Sequence, residues 1–259
     1  MSLKWNAPIF VNNTFAITFE YKKNIRRYAN IIEDSLKSDT SLQGGGYNVP
    51  FITPIPDEID PNAPRLIFNS LHGFSQIVFN QTGVTLNVSY SEDYMPVDAT
   101  ELRMKYLQER INVLHNILGE IECIVLFSGI ISRVLILTVG DENELQNYLP
   151  TLIPEKYKGE DCSLYESMFR KTEILSDEYF NIFQVSSYRE TPPWQNPFEV
   201  PRDSALKSPK RGIEIVHDIN DRYSYNKDSN YFTNSAASNE MFSISGELIK
   251  QFLDHVERS

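Results

Sequence analysis

Cysteine is scarce, with two in 259 residues. Cys123 sits in the apolar run Cys123 to Phe127 and Cys162 in a polar stretch. Two isolated thiols suggest no disulfide framework and fit a reducing compartment, so both are expected as free and Cys123 as a buried, inert thiol. Long apolar runs are missing too. The most apolar region, Ile121 to Val139, contains Glu122 and Arg133 and a Ser128-Gly129 interruption. A membrane span wants about 20 residues with few charges, so this region predicts two buried strands, near 122–128 and 131–139. The start of the chain, Met1-Ser2-Leu3-Lys4-Trp5, lacks a basic segment followed by an apolar stretch. A cytoplasmic protein with no membrane partner is expected. Basic charge is in deficit, 24 Lys and Arg against 35 Asp and Glu, for a net charge of −11. Phosphate binding needs concentrated Lys and Arg, so no nucleic-acid partner is expected either, even for a saddle of sheet and helices.

Several chemistries are absent. Gly44-Gly45-Gly46 is followed by Tyr47-Asn48-Val49, which is neither a phosphate loop nor a dinucleotide fingerprint. The four histidines, His72, His115, His217 and His255, have no metal-ligand spacing, and no metal or other cofactor is expected. Asp218-Ile219-Asn220-Asp221 resembles the start of a calcium loop, but Tyr223 occupies the position that needs glycine. Ser128-Gly129 and Ser245-Gly246 lack the flanking glycine of a nucleophile elbow. No enzyme signature survives, and a non-catalytic protein is the leading reading.

What is present is periodicity. Phe15, Ile17, Phe19 and Tyr21 alternate with smaller or polar residues, predicting a strand; Ile25, Tyr28, Ala29, Ile32 and Leu36 predict a helix near 24–37. Five prolines between Pro50 and Pro64 mark an extended loop. Three short strands, near 65–71, 74–79 and 84–90, are separated by His72-Gly73 and Gln81-Thr82-Gly83 and predict an antiparallel meander. Asp98 and Glu101 are spaced as a capping box before a helix near 99–119. After the apolar region come a short helix near 141–149, strands at 179–188 and 212–219, a polar Tyr-rich stretch at 221–239 and a closing helix near 244–258. The fold class is α+β, antiparallel sheet with long helices packed on one face. The two halves, 1–120 and 121–259, suggest a duplicated β-α-β-β-β-α unit, built either as two fused halves or as one continuous domain.

Two groups of residues are candidates for function. Val216-His217-Asp218-Ile219-Asn220-Asp221-Arg222 ends a strand in polar groups, so His217, Asp218, Asp221 and Arg222 could line a ligand or catalytic site, with His217 as acid/base and Asp218 as its orienter. The bland alternative is a solvated strand end. The loop from Tyr188 and Arg189 through Trp194 to Phe198 is aromatic and proline-rich, and could dock a protein partner or a second copy of the chain. Its bland alternative is a loop pinned to the core.

Asn6-Ala7-Pro8-Ile9, Pro64-Arg65-Leu66-Ile67-Phe68, Ile215-Val216-His217-Asp218-Ile219 and Asp254-His255 are together similar to a sporadically distributed bacterial family of uncharacterised proteins of about this length. The chain departs from that pattern at His217, where an acidic or apolar residue is usual. The resemblance implies a bacterial, cytosolic protein, accessory or defence-related, and no chemistry.

Overall fold

In the computed structural model, the residues described are 3–38, 46–90, 100–152, 166–190 and 210–258. Trp194 and Phe198, Asp98 of the expected capping box and Cys162 lie outside them. One nine-stranded antiparallel sheet organises the chain. Its strands are β1 (Ile9–Phe19), β2 (Phe51–Ile52), β3 (Leu66–Asn69), β4 (Ser75–Phe79), β5 (Gly83–Ser89), β6 (Val125–Leu137), β7 (Met168–Leu175), β8 (Tyr179–Arg189) and β9 (Arg211–Asn220). The spatial order is β2-β3-β4-β5-β1-β6-β9-β8-β7. The two central strands, β1 and β6, therefore pair with each other, and the sheet runs unbroken through residues of both halves. The helices are α1 (Ala29–Ser38), α2 (Thr100–Glu120), α3 (Glu142–Tyr148), α4 (Arg222–Lys227) and α5 (Ser235–Arg258). No helix among the described residues is long and apolar enough to cross a membrane.

Strand periodicity decides what is buried. In β1, Asn13, Phe15, Ile17 and Phe19 point one way and are buried, while Thr14, Ala16 and Thr18 alternate with them. The same parity carries Ile130 of β6 and Ile219 of β9 into one cluster with Ile111, Leu114 and Ile117 of α2 and Met241 and Phe242 of α5. A second cluster gathers Val134, Ile136, Ile213 and Ile215 under Leu145 and Leu149 and the end of α5, at Ile249 and Val256. The capping box that starts α3 is complete, with the Asp141 carboxylate accepting from the Glu144 amide and Glu144 accepting from the Asp141 amide.

The meander and α2 lie where the pattern puts them. Three expectations are corrected. Ser128-Gly129 does not split two strands, because β6 is continuous for 13 residues. Gly129 instead permits close approach to β9: a Cβ there would stand 2.7 Å from the Asn220 Cβ. The polar stretch 221–239 holds α4 and the first turns of α5, which starts nine residues before the expected position. Finally, β7 is an additional edge strand whose side chains are mostly exposed, leaving little inward apolar signal.

The proline loop is organised by two arginines, one fully buried and one half-buried. Arg65 is fully buried; its guanidinium donates to the carbonyls of Ala63 (2.8 Å), Ile59 (2.6 Å) and Asp60 (3.1 Å) and to Gln81 Oε1 (3.1 Å). Arg26 donates to the Thr53 carbonyl (2.9 Å) and pairs with Asp57. These bonds satisfy carbonyls that a proline-rich segment cannot pair in a ladder.

Candidate functional site

The four residues at the predicted polar strand end do not share a site. His217 is fully buried on the side packed by α5, while Asp218, the next residue along β9, points to the opposite side of the sheet. Asp221 turns back inward and is fully buried; it accepts from the Ser128 backbone amide (2.7 Å) and the Tyr231 hydroxyl (2.8 Å). Arg222 lies outward, with its guanidinium 5.7 Å from the Phe127 ring centre. Asp218 therefore does not orient His217. Neither does the solvated strand end describe His217, which lies between β6 and β8 with both neighbours hydrogen-bonded.

His217 belongs instead to a buried polar row. Its Nδ1 is 2.7 Å from Ser245 Oγ and its Nε2 2.5 Å from Asn181 Oδ1. An amide oxygen only accepts, so Nε2 carries the proton and Nδ1 takes the proton of the Ser245 hydroxyl. The remaining directions follow. Tyr90 donates to Asn13 Oδ1 (2.8 Å), Asn13 Nδ2 to Ser132 Oγ (2.6 Å), Ser132 to Ser245 Oγ (3.3 Å), and Asn181 Nδ2 to Glu173 (2.9 Å). Six side chains thus donate in one direction, from Tyr90 through Asn181, and the Glu173 carboxylate accepts at the end of the row. Burial drives the His217 pKa down to about 4, so the ring is neutral near pH 7.

Ser245, His217 and Asn181 have the order of a nucleophile, a base and an orienter. The surroundings do not complete that chemistry. Ser245 is buried in the interior of α5, where the backbone amides are committed to the helix and none is free to stabilise an oxyanion. A second buried group reads likewise: His115 Nε2 lies 2.9 Å from Ser238 Oγ, which lies 3.0 Å from Ser128 Oγ, while Asp221 bonds the Ser128 amide and not the imidazole. Burial also holds His115 at about 4 and raises Asp221. Among the described residues no group of three or more His, Cys, Asp or Glu side chains could hold a metal. Cys123 is half-buried, and burial pushes its thiol up to about 11. Of the predicted docking residues, Arg189 forks onto Glu142, lowering that carboxyl against the upward push of burial, and Tyr188 is half-buried on β8.

Two concave regions adjoin the predicted strand end and the buried row. An outward groove of about 460 Å³ crosses β1, β6, β9, β8 and β7, with Ile131, Phe180 and Ile182 on its floor and Asp218, Arg222 and Asn226 among its polar residues. A second cleft, of about 630 Å³, opens between α2 and α5 above Asn13 and Ser132. Inward polar residues on strands, such as Asn13, Ser132, Asn181 and His217, were the readable signal for the buried row. No protein-family model matches the chain, and no curated protein matches it significantly.

Proposed function

We propose that the protein is a non-catalytic interaction module that docks another protein against the outward groove, in the bacterial cytosolic setting implied by the family resemblance. The observation that carries this reading is the floor of that groove. Ile131 is 39% exposed at the middle of a nine-stranded sheet, two strands from Ile182 and Phe180, with Asp218 of β9 paired between Ile131 and Ile182. Exposed apolar side chains interspersed with hydroxyl, amide and charged groups mark an interaction surface. The groove crosses five strands, which suits an extended or helical protein segment, and the net charge of −11 favours a basic partner.

We also infer that a β-α-β-β-β-α unit occurs twice, as β1, α1, β3 to β5, α2 and as β6, α3, β7 to β9, α5. The strand order supports this reading, since β3-β4-β5-β1 is met by β7-β8-β9-β6 reading inward from the other edge. On that reading the long helices α2 and α5 are counterparts laid on one face, and the other face is left for the partner. Superposing the two halves tests it; strands and helices that fail to overlay in the same order would end it.

The docking test uses the full chain. Crosslinking capture identifies the partner, and titration calorimetry of the purified pair compares wild type with Ile131→Glu and Ile182→Glu, both at outward positions. The expected result is at least about a tenfold loss of affinity with unchanged thermal stability. Equal binding by the variants, or a strictly monomeric protein with no partner, overturns the reading. Trp194→Ala in the same titration tests the loop from Tyr188 to Phe198 as an added contact.

A further inference from the structure

Beyond the docking groove, we infer that the cleft between α2 and α5 binds a small amphipathic molecule, an apolar ring or chain carrying a carbonyl or carboxylate head. The cleft holds about 630 Å³, in the range of small-ligand pockets at roughly 300–1,000 Å³. Its walls are apolar, from Phe10, Met104, Leu107, Phe242, Ile249 and Leu253. Its floor is polar and built. Asn13, Ser132 and Ser245 are each at least nine-tenths buried and locked in the hydrogen-bonded row that runs on through His217 and Asn181 to Glu173.

The row's direction indicates which head group fits. Ser132 and Ser245 spend their protons along the row, towards His217. Asn13 Nδ2 carries two protons and gives one to Ser132; the second has no acceptor among the described residues. An accepting oxygen seated on the floor meets that proton. Arg103 also lines the cleft, 4% exposed with its guanidinium 4.1 Å from the Phe10 ring centre, and Lys250 stands with Glu247 on the α5 side. The side-chain row holds the floor in one geometry, so a ligand meets preorganised donors rather than mobile ones.

Gly246 supplies the decisive variant. It lies on α5 against the cleft, and an added Cβ would meet only Met104 side-chain atoms, at 3.8 Å. Gly246→Leu therefore fills the cleft while improving helix propensity by up to about 1 kcal/mol. The probe is 8-anilinonaphthalene-1-sulfonate, an apolar ring system with an acidic head, followed by its fluorescence and displaced by decanoate. Wild type is expected to bind it saturably at one site, with displacement. Gly246→Leu is expected to weaken binding at least about tenfold while melting no lower than wild type, and Ile131→Glu, across the sheet, to leave binding unchanged. No saturable binding below about 1 mM, failure of decanoate to displace the probe, or equal binding by Gly246→Leu overturns the inference. Loss only in Ile131→Glu overturns it too, because the probe then occupies the docking groove. Failure of the protein partner to bind leaves this result untouched.

Discussion

Acid should unfold this protein partly through His217. The ring is fully buried and faced by Ser245 from α5, Asn181 and Phe183 from β8, and Ser132 beside it on β6. None of these is charged, so nothing adjacent repays a proton added to the imidazole; Glu173 is one hydrogen bond further away, on Asn181. Burial therefore holds the folded pKa at about 4, against an ordinary 6.5. The unfolded chain binds the proton near 6.5 and the folded chain refuses it until about 4, so stability is complete above 6.5 and is lost as pH falls between the two. At about 1.4 kcal/mol for each pH unit, the loss reaches about 3 kcal/mol, which is a large share of the stability of an ordinary domain. Asp218 and Asp221 act in the opposite sense. Burial raises both carboxyls, so the folded state takes up their protons first and gains stability as pH falls. Comparison with His217→Gln at each pH removes these shared contributions, along with those of His72 and His115. Urea unfolding from pH 7.5 to 4.5 is the assay. The variant is expected to be less stable at pH 7.5 by about 1–3 kcal/mol, from the disturbed bonds to Ser245 and Asn181. Its stability should then fall less steeply below pH 6 than that of wild type, by up to about 1.4 kcal/mol per pH unit. Parallel curves would refute the burial argument, as would a His217 ring resonance in wild type that titrates near pH 6.5.

Two further perturbations test the packing. Arg65→Met should cost about 3–5 kcal/mol in thermal or urea unfolding, because it strands Gln81 and several loop carbonyls without a donor, and it should speed proteolysis within 50–64. A loss under about 1 kcal/mol would show that the proline loop stands without its cation. Gly129→Val places a Cβ 2.7 Å from the Asn220 Cβ and 3.3 Å from the Ile219 carbonyl, and should cost about 1–3 kcal/mol. Gly119→Ala, with nothing within 4 Å of the new atom, should be neutral or stabilise α2 by up to about 1 kcal/mol. Similar effects at the two glycines would refute the close-approach reading of Gly129.

Local periodicity made much of the architecture legible, and its failures share a physical cause. The meander, α2 and β9 advertise themselves because a half-buried strand alternates and an amphipathic helix repeats every 3.6 residues. Ser128-Gly129 looks like punctuation in that code, yet both residues serve neighbours distant in sequence: the Ser128 amide meets Asp221 and Gly129 lets Asn220 approach. Edge strand β7 escapes because an exposed strand buries too little to alternate clearly. The start of α5 escapes because Ser235 and Asn239 bind Asn112 of α2 and Ser238 turns inward to His115 and Ser128, so its polar composition reflects helix contacts rather than solvent.

The candidate site shows the same limit more sharply. Proximity in sequence put His217, Asp218 and Asp221 together, whereas a strand sends adjacent side chains to opposite faces. Parity was the better guide. Asn13, Ser128, Ser132, Asn181 and His217 all occupy inward positions flanked two residues away by apolar neighbours such as Phe15, Ile130, Val134, Tyr179 and Ile215. A polar side chain at such a position must find a partner inside the protein. A run of them on neighbouring strands therefore implies a buried network before any contact is known. Parity cannot supply the strand order, which sets Asn13 beside Ser132 and Ser132 beside His217. Only that pairing turns Asn13, Ser132, His217 and Asn181 into a row, and the row is what gives the cleft between α2 and α5 a polar floor.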